Sequence, residues 1–109
     1  MSVAGTRQVV GRLEELPVGT VRRVTVGGRQ VCLARCESGV RAIDDTCSHE
    51  DYSLAEGELD PAACEIECWK HGSLFSLETG EPLTLPATQP VAVHQVEIED
   101  GEIVVVLSR

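Results

Sequence analysis

The segment CSHEDYSLAEGELDPAACEIECWKH, residues 47–71, decides what kind of protein this chain is. Cys47 and His49 are separated by one residue, Cys68 and His71 by two, and residues 50–67 lie between the two pairs. Each pair offers one soft sulfur ligand and one imidazole nitrogen. Thiolate and imidazole together suit zinc, or an iron–sulfur cluster in which two His replace two Cys on one iron.

The order of the ligands favours the iron–sulfur cluster. Zinc fingers usually gather two Cys in one pair and two His in the other. Here each pair contributes one Cys and one His, which fits a two-iron cluster that takes Cys on one iron and His on the other. A zinc site using the same four residues stays an alternative.

The flanking sequence predicts an all-β scaffold. Short β-branched runs meet at Gly27-Gly28, and another turn signal stands at residues 37–39. Near the end of the chain, two further runs flank residues 99–101, a strong hairpin signal. No stretch has a sustained helical period, and residues 51–59 hold one helical turn at most. The two Cys/His pairs are therefore expected on loops of an antiparallel β-protein.

The motif C-x-H, a spacer, and C-x-x-H followed by Gly resembles the signature of Rieske proteins. The likeness runs from about Leu16 to Leu107, and the segments CSHEDYSLAEGE, CWKHGSLFSLETGEP and LPATQP are most similar to small bacterial Rieske-type ferredoxins that serve non-haem iron oxygenases. The resemblance implies a Rieske fold, with an antiparallel β-sandwich base and a small cluster-binding lobe made of two loops. We expect a single domain over residues 1–109, with the lobe at about 45–82.

The resemblance also implies the ligand set of one Rieske-type [2Fe-2S] cluster. Cys47 and Cys68 would hold the inner iron, and His49 and His71 the outer iron near the surface. Residues next to the ligands would surround the cluster, and these are Gly72, Ser73 and Phe75. A glycine is expected at position 72 because a backbone that approaches a sulfide closely leaves no room for a side chain.

Two of these neighbours bear on the reduction potential. Ser73 aligns with a serine that donates a hydrogen bond to a sulfide in high-potential relatives, whereas Phe75 stands where those relatives carry a donor tyrosine. Such centres span about -150 to +300 mV. With one donor missing and a negative net charge, we expect the lower half of that range.

Departures from the family pattern point to the ferredoxin branch. Respiratory-chain Rieske proteins carry two additional Cys that form a disulfide clamp between the loops, and Tyr52 and Lys70 occupy those places here. Many family members have Pro after the second Cys, where this chain has Trp69. We expect Trp69 to pack beneath the loops.

The remaining cysteines and the third histidine have simpler interpretations. Five cysteines are an odd number, and a reducing compartment favours metal binding over a disulfide framework. Cys32, Cys36 and Cys64 are therefore expected to be small buried core residues. His94 alternates with apolar residues along a predicted strand and is expected to be a structural histidine.

Composition limits the partners. The chain has 109 residues, a net charge of -9 and 3% aromatic residues. The negative charge disfavours nucleic acid and anionic membranes and favours a basic protein surface. No segment approaches the roughly 20 apolar residues of a membrane span, so a soluble, cytoplasmic protein is expected.

The function that the resemblance implies is electron transfer without catalysis. The protein would pass one electron from a ferredoxin reductase to a terminal oxygenase, or a similar acceptor, through transient contacts. An oxygenase would need a separate iron site with two His and a carboxylate, yet only one His follows His71. A Rieske protein serving iron–sulfur cluster assembly is the alternative, and a structural zinc module is a more distant one.

Overall fold

The computed structural model describes residues 6–47, 52–70 and 72–108, and β-strands are the main regular structure in these ranges. The strands are β1 Arg7–Arg12, β2 Val21–Val26, β3 Arg29–Cys36, β4 Gly39–Asp44, β5 Glu58–Asp60, β6 Glu65–Glu67, β7 Leu74–Ser76, β8 Val93–Glu99 and β9 Glu102–Val106. Two short 3-10 helices cover Leu13–Glu15 and Leu54–Glu56. No helix within the described ranges is long and apolar enough to cross a membrane.

The strands form two antiparallel sheets, which confirms the all-β prediction. The larger sheet, called the base here, has six strands in the order β1-β9-β8-β4-β3-β2. The smaller sheet, called the lobe sheet, has the order β5-β6-β7 and follows β4 in the chain. A side-chain amide links the two edge strands of the base, since Gln8 Nε2 donates to the carbonyl oxygen of Thr25 at 3.2 Å.

The predicted hairpins are confirmed by the strand register. Val26 pairs with Arg29 across Gly27-Gly28, and both glycines have positive φ. Glu99 likewise pairs with Glu102 across a two-residue turn in which both residues have positive φ. This backbone matches the twist of adjacent strands, and glycine adopts it without a steric penalty. The base is therefore built largely from local turns.

Strand β3 separates two hydrophobic cores. Its side chains alternate, so that Val31 and Leu33 belong to the core of the base while Cys32, Ala34 and Cys36 face the lobe. A strand buried on both faces has a continuous apolar sequence, as the segment VCLA does here. The small side chains on the lobe side leave space for the packing of the lobe against the base.

The lobe contains more regular structure than the two loops that were expected. Ile66, at the centre of the lobe sheet, pairs with Leu59 on one side and with Phe75 on the other. The alternation of residues 64–67 in the sequence predicts β6, and the structure confirms it. Strands β5 and β7 also have three residues each, which is too short to show a period in their own sequences. Strand β1 was also not predicted, because polar and apolar side chains do not alternate regularly along its largely exposed sequence.

Candidate metal centre

Two loops, each opened by a candidate cysteine ligand, are closed in the same way. The backbone N–H of Cys47 donates to the carbonyl oxygen of Tyr52 at 2.8 Å, and that of Cys68 donates to the carbonyl oxygen of Ser73, also at 2.8 Å. In both cases the acceptor lies five residues after the cysteine. His49 and His71 fall within these loops in the sequence but lie outside the described residues. We call residues 47–52 the first ligand loop and 68–73 the second.

A buried carboxylate anchors the first ligand loop to the base. Asp45 accepts a hydrogen bond on Oδ1 from the backbone N–H of Ala55 at 2.9 Å, and its carbonyl oxygen accepts one from Leu54 at 2.6 Å. Arg23 Nη1 lies 3.9 Å from the other carboxylate oxygen. The sequence analysis did not identify Asp45, because the only sequence signal for its role is its position two residues before Cys47.

The second ligand loop depends on a glycine. Gly72 has φ +78°, a conformation that L side chains rarely adopt, and its N–H donates to the carbonyl oxygen of Cys68 at 2.9 Å. A Cβ at this position would also approach a carboxylate oxygen of Glu67 at 3.2 Å. The glycine that was expected for close approach to a sulfide is thus already required by the backbone.

Residues 80–90, called the proline segment, are hydrogen-bonded to the second ligand loop and to β7. Thr84 Oγ1 accepts a bond from Leu74 N–H at 2.9 Å, and Ser73 Oγ accepts one from Ala87 N–H at 3.1 Å. Ser73 and Phe75 are fully buried. The hydrogen of the Ser73 hydroxyl is not used in the bond with Ala87, so this group retains a donor.

The two candidate cysteine ligands lie in the same dry environment. Cys47 and Cys68 are both buried and belong to the core between the base and the lobe. Cys32 lies in that core as well, but burial, assisted by the charge of Asp45, raises the pKa of its thiol. Cys32 lies within strand β3 rather than on either ligand loop, so it is not part of the candidate site. Over 6–47, 52–70 and 72–108, no three His, Cys, Asp or Glu side chains are grouped to hold a metal ion.

Residues 6–106 match the family described as the Rieske [2Fe-2S] domain. The chain belongs to this Rieske family. A Rieske-type [2Fe-2S] cluster is accordingly its cofactor. The described residues fit such a group. Cys47 and Cys68 each begin a loop that is closed by the same kind of hydrogen bond, and both sulfurs are buried in one core.

Known ferredoxins resemble the chain over most of its length. It is 40% identical over 92 residues to ferredoxin CarAc from Metapseudomonas resinovorans, covering 84% of each chain. Its structure matches the ferredoxin of carbazole 1,9a-dioxygenase from Nocardioides aromaticivorans IC177 with a TM-score of 0.89 and 33% identity, over 95% of this chain and 99% of the other. A ferredoxin solved in complex with the oxygenase of carbazole 1,9a-dioxygenase matches with a TM-score of 0.86 and 37% identity, over 94% of both chains.

An aromatic and cationic cluster joins the two ligand loops of this Rieske protein. The rings of Tyr52 and Trp69 meet edge to face with centroids 5.2 Å apart, and Lys70 Nζ lies 5.7 Å from the Tyr52 ring and 5.8 Å from the Trp69 ring. A non-covalent contact therefore stands where respiratory-chain relatives carry the disulfide clamp. The prediction that Trp69 packs beneath the loops is wrong. Its side chain is 49% exposed, because its ring packs edge-on against a loop at the surface.

The remaining cysteines Cys32, Cys36 and Cys64 are buried core residues, as expected, but the expectation that they form no disulfide is wrong. Cys36 and Cys64 form a disulfide, with Cα atoms 5.3 Å apart. The two residues are 28 positions apart in the chain, and the lobe brings them together by folding back over β3. Pairing of this kind cannot be deduced from the sequence alone. Cys32 is buried and outside the disulfide, as expected.

The structural role expected for His94 is confirmed. His94 Nδ1 accepts a hydrogen bond from the backbone N–H of Ser108 at 3.0 Å, so Nε2 carries the ring hydrogen and donates to Asp44 Oδ1 at 2.8 Å. Arg29 Nη2 in turn donates to both oxygens of Asp44 at 2.8 Å. Because both ring nitrogens have partners in the base, His94 is not available as an iron ligand.

Proposed function

We propose that the chain is a one-electron carrier whose Rieske [2Fe-2S] cluster is held by Cys47, His49, Cys68 and His71. The observation that carries the ligand assignment is the equivalent closure of the two loops by Cys47 and Cys68. Each loop then contains one His, two or three residues after its Cys. In this assignment the sulfurs bind the inner iron and the imidazoles the outer one.

When bound, the cluster supplies one-electron chemistry at iron. The protein residues keep its sulfur side dry, because Cys47 and Cys68 lie in the core against fully buried Ile66 and Phe75. Phe75 has no hydroxyl to donate to the cluster, whereas Ser73 retains a donor hydrogen. With one such donor and a net charge of -9, we propose a reduction potential in the lower half of about -150 to +300 mV.

Exposed apolar side chains around the second ligand loop support a docking role for this face. Leu85 is 75% exposed, Trp69 49% and Leu83 47%. The hydrogen bonds of Thr84 hold the two leucines beside the loop. A carrier that must dissociate quickly uses a small contact, and an apolar patch beside the ligand loop is suited to one.

Acidic residues next to Trp69 support a basic partner surface. Glu56, Glu58 and Glu67 line an open cavity of about 260 Å³ together with the Trp69 ring. Charges at the edge of a contact mainly accelerate encounter with a surface of opposite sign. The position of these three glutamates beside Trp69 supports a role in steering a partner rather than mere solvation.

We propose that the partners are a ferredoxin reductase, which supplies the electron, and a terminal oxygenase, which accepts it. The oxygenase as acceptor is supported by the similar ferredoxin that belongs to carbazole 1,9a-dioxygenase and by the solved complex of a similar ferredoxin with an oxygenase. The chain itself makes and breaks no covalent bonds of a substrate. We further propose that residues 1–109 act as one domain, that the cluster lobe spans about 45–82, and that the protein works in the cytoplasm.

The ligand assignment is tested by analysing iron, sulfide and zinc in His71→Ala beside His94→Ala. His94 is the control, because both of its ring nitrogens are hydrogen-bonded to residues outside the ligand loops. We expect the wild type and His94→Ala to take up one electron per cluster in a reductive titration and to keep the same visible spectrum. His71→Ala should lose both properties. An unchanged spectrum in His71→Ala, or zinc in place of iron in the wild type, would refute the assignment.

A further inference from the structure

The Cys36–Cys64 disulfide joins the base to the lobe. Cys36 is the last residue of β3, and Cys64 directly precedes β6. Two backbone hydrogen bonds lie next to the disulfide. The first also joins the base to the lobe, and the second holds Cys64 within the lobe. Glu37 N–H donates to the carbonyl oxygen of Pro61 at 2.9 Å, and Leu77 N–H donates to that of Cys64 at 2.9 Å. The bond therefore lies in an ordered junction between the two sheets.

The segment closed by this bond contains the first ligand loop. Residues 37–63 include β4, Cys47 and the anchoring carboxylate of Asp45. The ends of the segment are fixed to each other by the disulfide and, next to it, by the bond between Glu37 and Pro61. Opening of the lobe would have to move these ends apart, so the covalent bond restricts the motion that would release the first ligand loop from the base.

Both cysteines of the bond are inaccessible in the folded protein. Cys36 is 1% exposed and Cys64 is 3% exposed. Reduction requires a thiolate to attack one of the two sulfurs. The surrounding core blocks access of a thiolate to either sulfur. A disulfide in this position is protected kinetically even where glutathione is abundant, which reconciles it with a cytoplasmic protein.

We propose that Cys36–Cys64 is a buried covalent clamp that forms as the chain folds and then slows loss of the cluster. Glutathione disulfide is a sufficient oxidant. The Cys36 or Cys64 thiolate attacks it to give a mixed disulfide and one glutathione, and the second cysteine thiolate then displaces another glutathione. Two protein thiols are oxidised to one disulfide, one glutathione disulfide is reduced to two glutathiones, and the two thiol protons pass to the departing glutathione thiolates.

The clamp differs from the contact between Tyr52 and Lys70 in what it connects. The side chains of Tyr52 and Lys70 join the two ligand loops to each other, whereas the disulfide joins the lobe to the base. The part of the proposal that concerns cluster loss rests on the proposed ligand set. The existence of the disulfide does not depend on that ligand set, so the disulfide and the ligand assignment can be refuted separately.

The bond is tested first by counting thiols in the purified protein. The holoprotein is denatured in acid, alkylated without reductant at neutral pH in denaturant, and weighed by mass spectrometry. Because the chain has five cysteines, the proposal predicts alkylation of Cys32, Cys47 and Cys68 and a crosslinked peptide pair containing Cys36 and Cys64. Five alkylated cysteines, or a crosslink between other residues, would overturn it.

Protection is tested by incubating the native holoprotein with glutathione before the count. We expect three alkylated cysteines after native incubation and five when the incubation is made in denaturant. Five after native incubation would show that the bond is open to reduction in the folded state, which contradicts a buried clamp.

The effect on the cluster is measured as the rate at which visible absorbance is lost on warming. A disulfide closing a loop of this size shifts an opening equilibrium by on the order of a hundredfold, so C36S/C64S should lose its cluster much faster than the wild type. Cys32→Ser, in the same core but outside the bond, is the control and should be slower to lose it than the double variant. Equal rates for the wild type and C36S/C64S would overturn the clamp. If C36S/C64S does not fold, C36A/C64A takes its place, and the thiol count on the wild type remains decisive.

Discussion

The base and the lobe of this protein are stabilised in different ways. The core of the base contains branched aliphatic side chains and one alanine, and its buried members are Leu16, Val26, Val31, Leu33, Ala42, Ile103, Val105 and Leu107. The core between base and lobe contains every cysteine of the chain, namely Cys32, Cys36, Cys47, Cys64 and Cys68. The base strands have five to eight residues, whereas those of the lobe have three.

This difference indicates what each region needs in order to stay folded. Burying a large aliphatic side chain contributes about 1.5 to 3 kcal/mol, and the base buries several on paired strands. The lobe has fewer such side chains, and its short strands make few ladder hydrogen bonds. We expect cross-links, from the proposed cluster ligands and from Cys36–Cys64, to supply the difference. In the proposed assignment, the redox centre therefore contributes to the stability of the lobe.

The largest effect is expected from removal of a proposed cysteine ligand. Cys68→Ser should abolish the cluster and loosen the lobe, while the base remains folded. Amide hydrogen exchange measures both regions in one sample. We expect loss of protection at Ile66 and Phe75 and retained protection at Ile103 and Val105.

Cys32→Ser is the matched control, because Cys32 and Cys68 are both 0% exposed in the same core. This variant should keep the cluster and the protection of the lobe. If Cys32→Ser and Cys68→Ser lost the cluster alike, the distinction between ligand and core cysteine would be wrong. Protection of the lobe without any cluster would contradict its dependence on cross-links.

A steric substitution in the lobe should have the next largest effect. A Cβ on Gly57 would overlap the carbonyl oxygen of Glu67, the partner of Glu58 across β5 and β6. Gly57→Ala should therefore lower the free energy of unfolding by about 3 kcal/mol. In the base, Gly28→Ala meets nothing within 4 Å, although φ is +84°, and should lower it by about 1 kcal/mol. Denaturant unfolding of the two variants compares them, and equal losses would refute the steric argument.

Removal of the buried histidine should destabilise the base without altering the redox centre. His94→Ala leaves Ser108 N–H without its acceptor and removes one of the two hydrogen bonds to Asp44 Oδ1, the other being from Arg29. We expect this to lower the free energy of unfolding by about 1 to 3 kcal/mol. The reduction potential, measured by voltammetry, should be unchanged. A large shift in potential would instead place His94 close to the cluster.

The smallest effect is expected at the contact between the ligand loops. Lys70→Met keeps an extended side chain but removes the charge that lies 5.7 Å from the Tyr52 ring. An exposed cation–π contact contributes about 0.5 to 1 kcal/mol, so cluster loss on warming should accelerate only a few-fold. Lys70→Arg, which retains the charge, should behave like the wild type. Faster loss in both variants would show that the charge is not the cause.

The sequence predicted the base better than the lobe, for physical reasons. Gly27-Gly28 and the turn at residues 99–101 are local signals, and a hairpin follows from its own turn. The proposed ligands were found by their types and spacing, which require no knowledge of the fold. The disulfide and the exposure of Trp69 depend instead on how the lobe folds over β3. Contacts between residues so distant in the chain leave no local pattern.

The central claim is that a cluster with two Cys and two His ligands sits between the ligand loops. Electron paramagnetic resonance of the dithionite-reduced protein tests it most directly. The account predicts a rhombic signal with the low average g value of mixed ligation, present in Cys32→Ser and absent in His71→Ala. A signal typical of four thiolate ligands, or a colourless zinc protein with no signal, would contradict it.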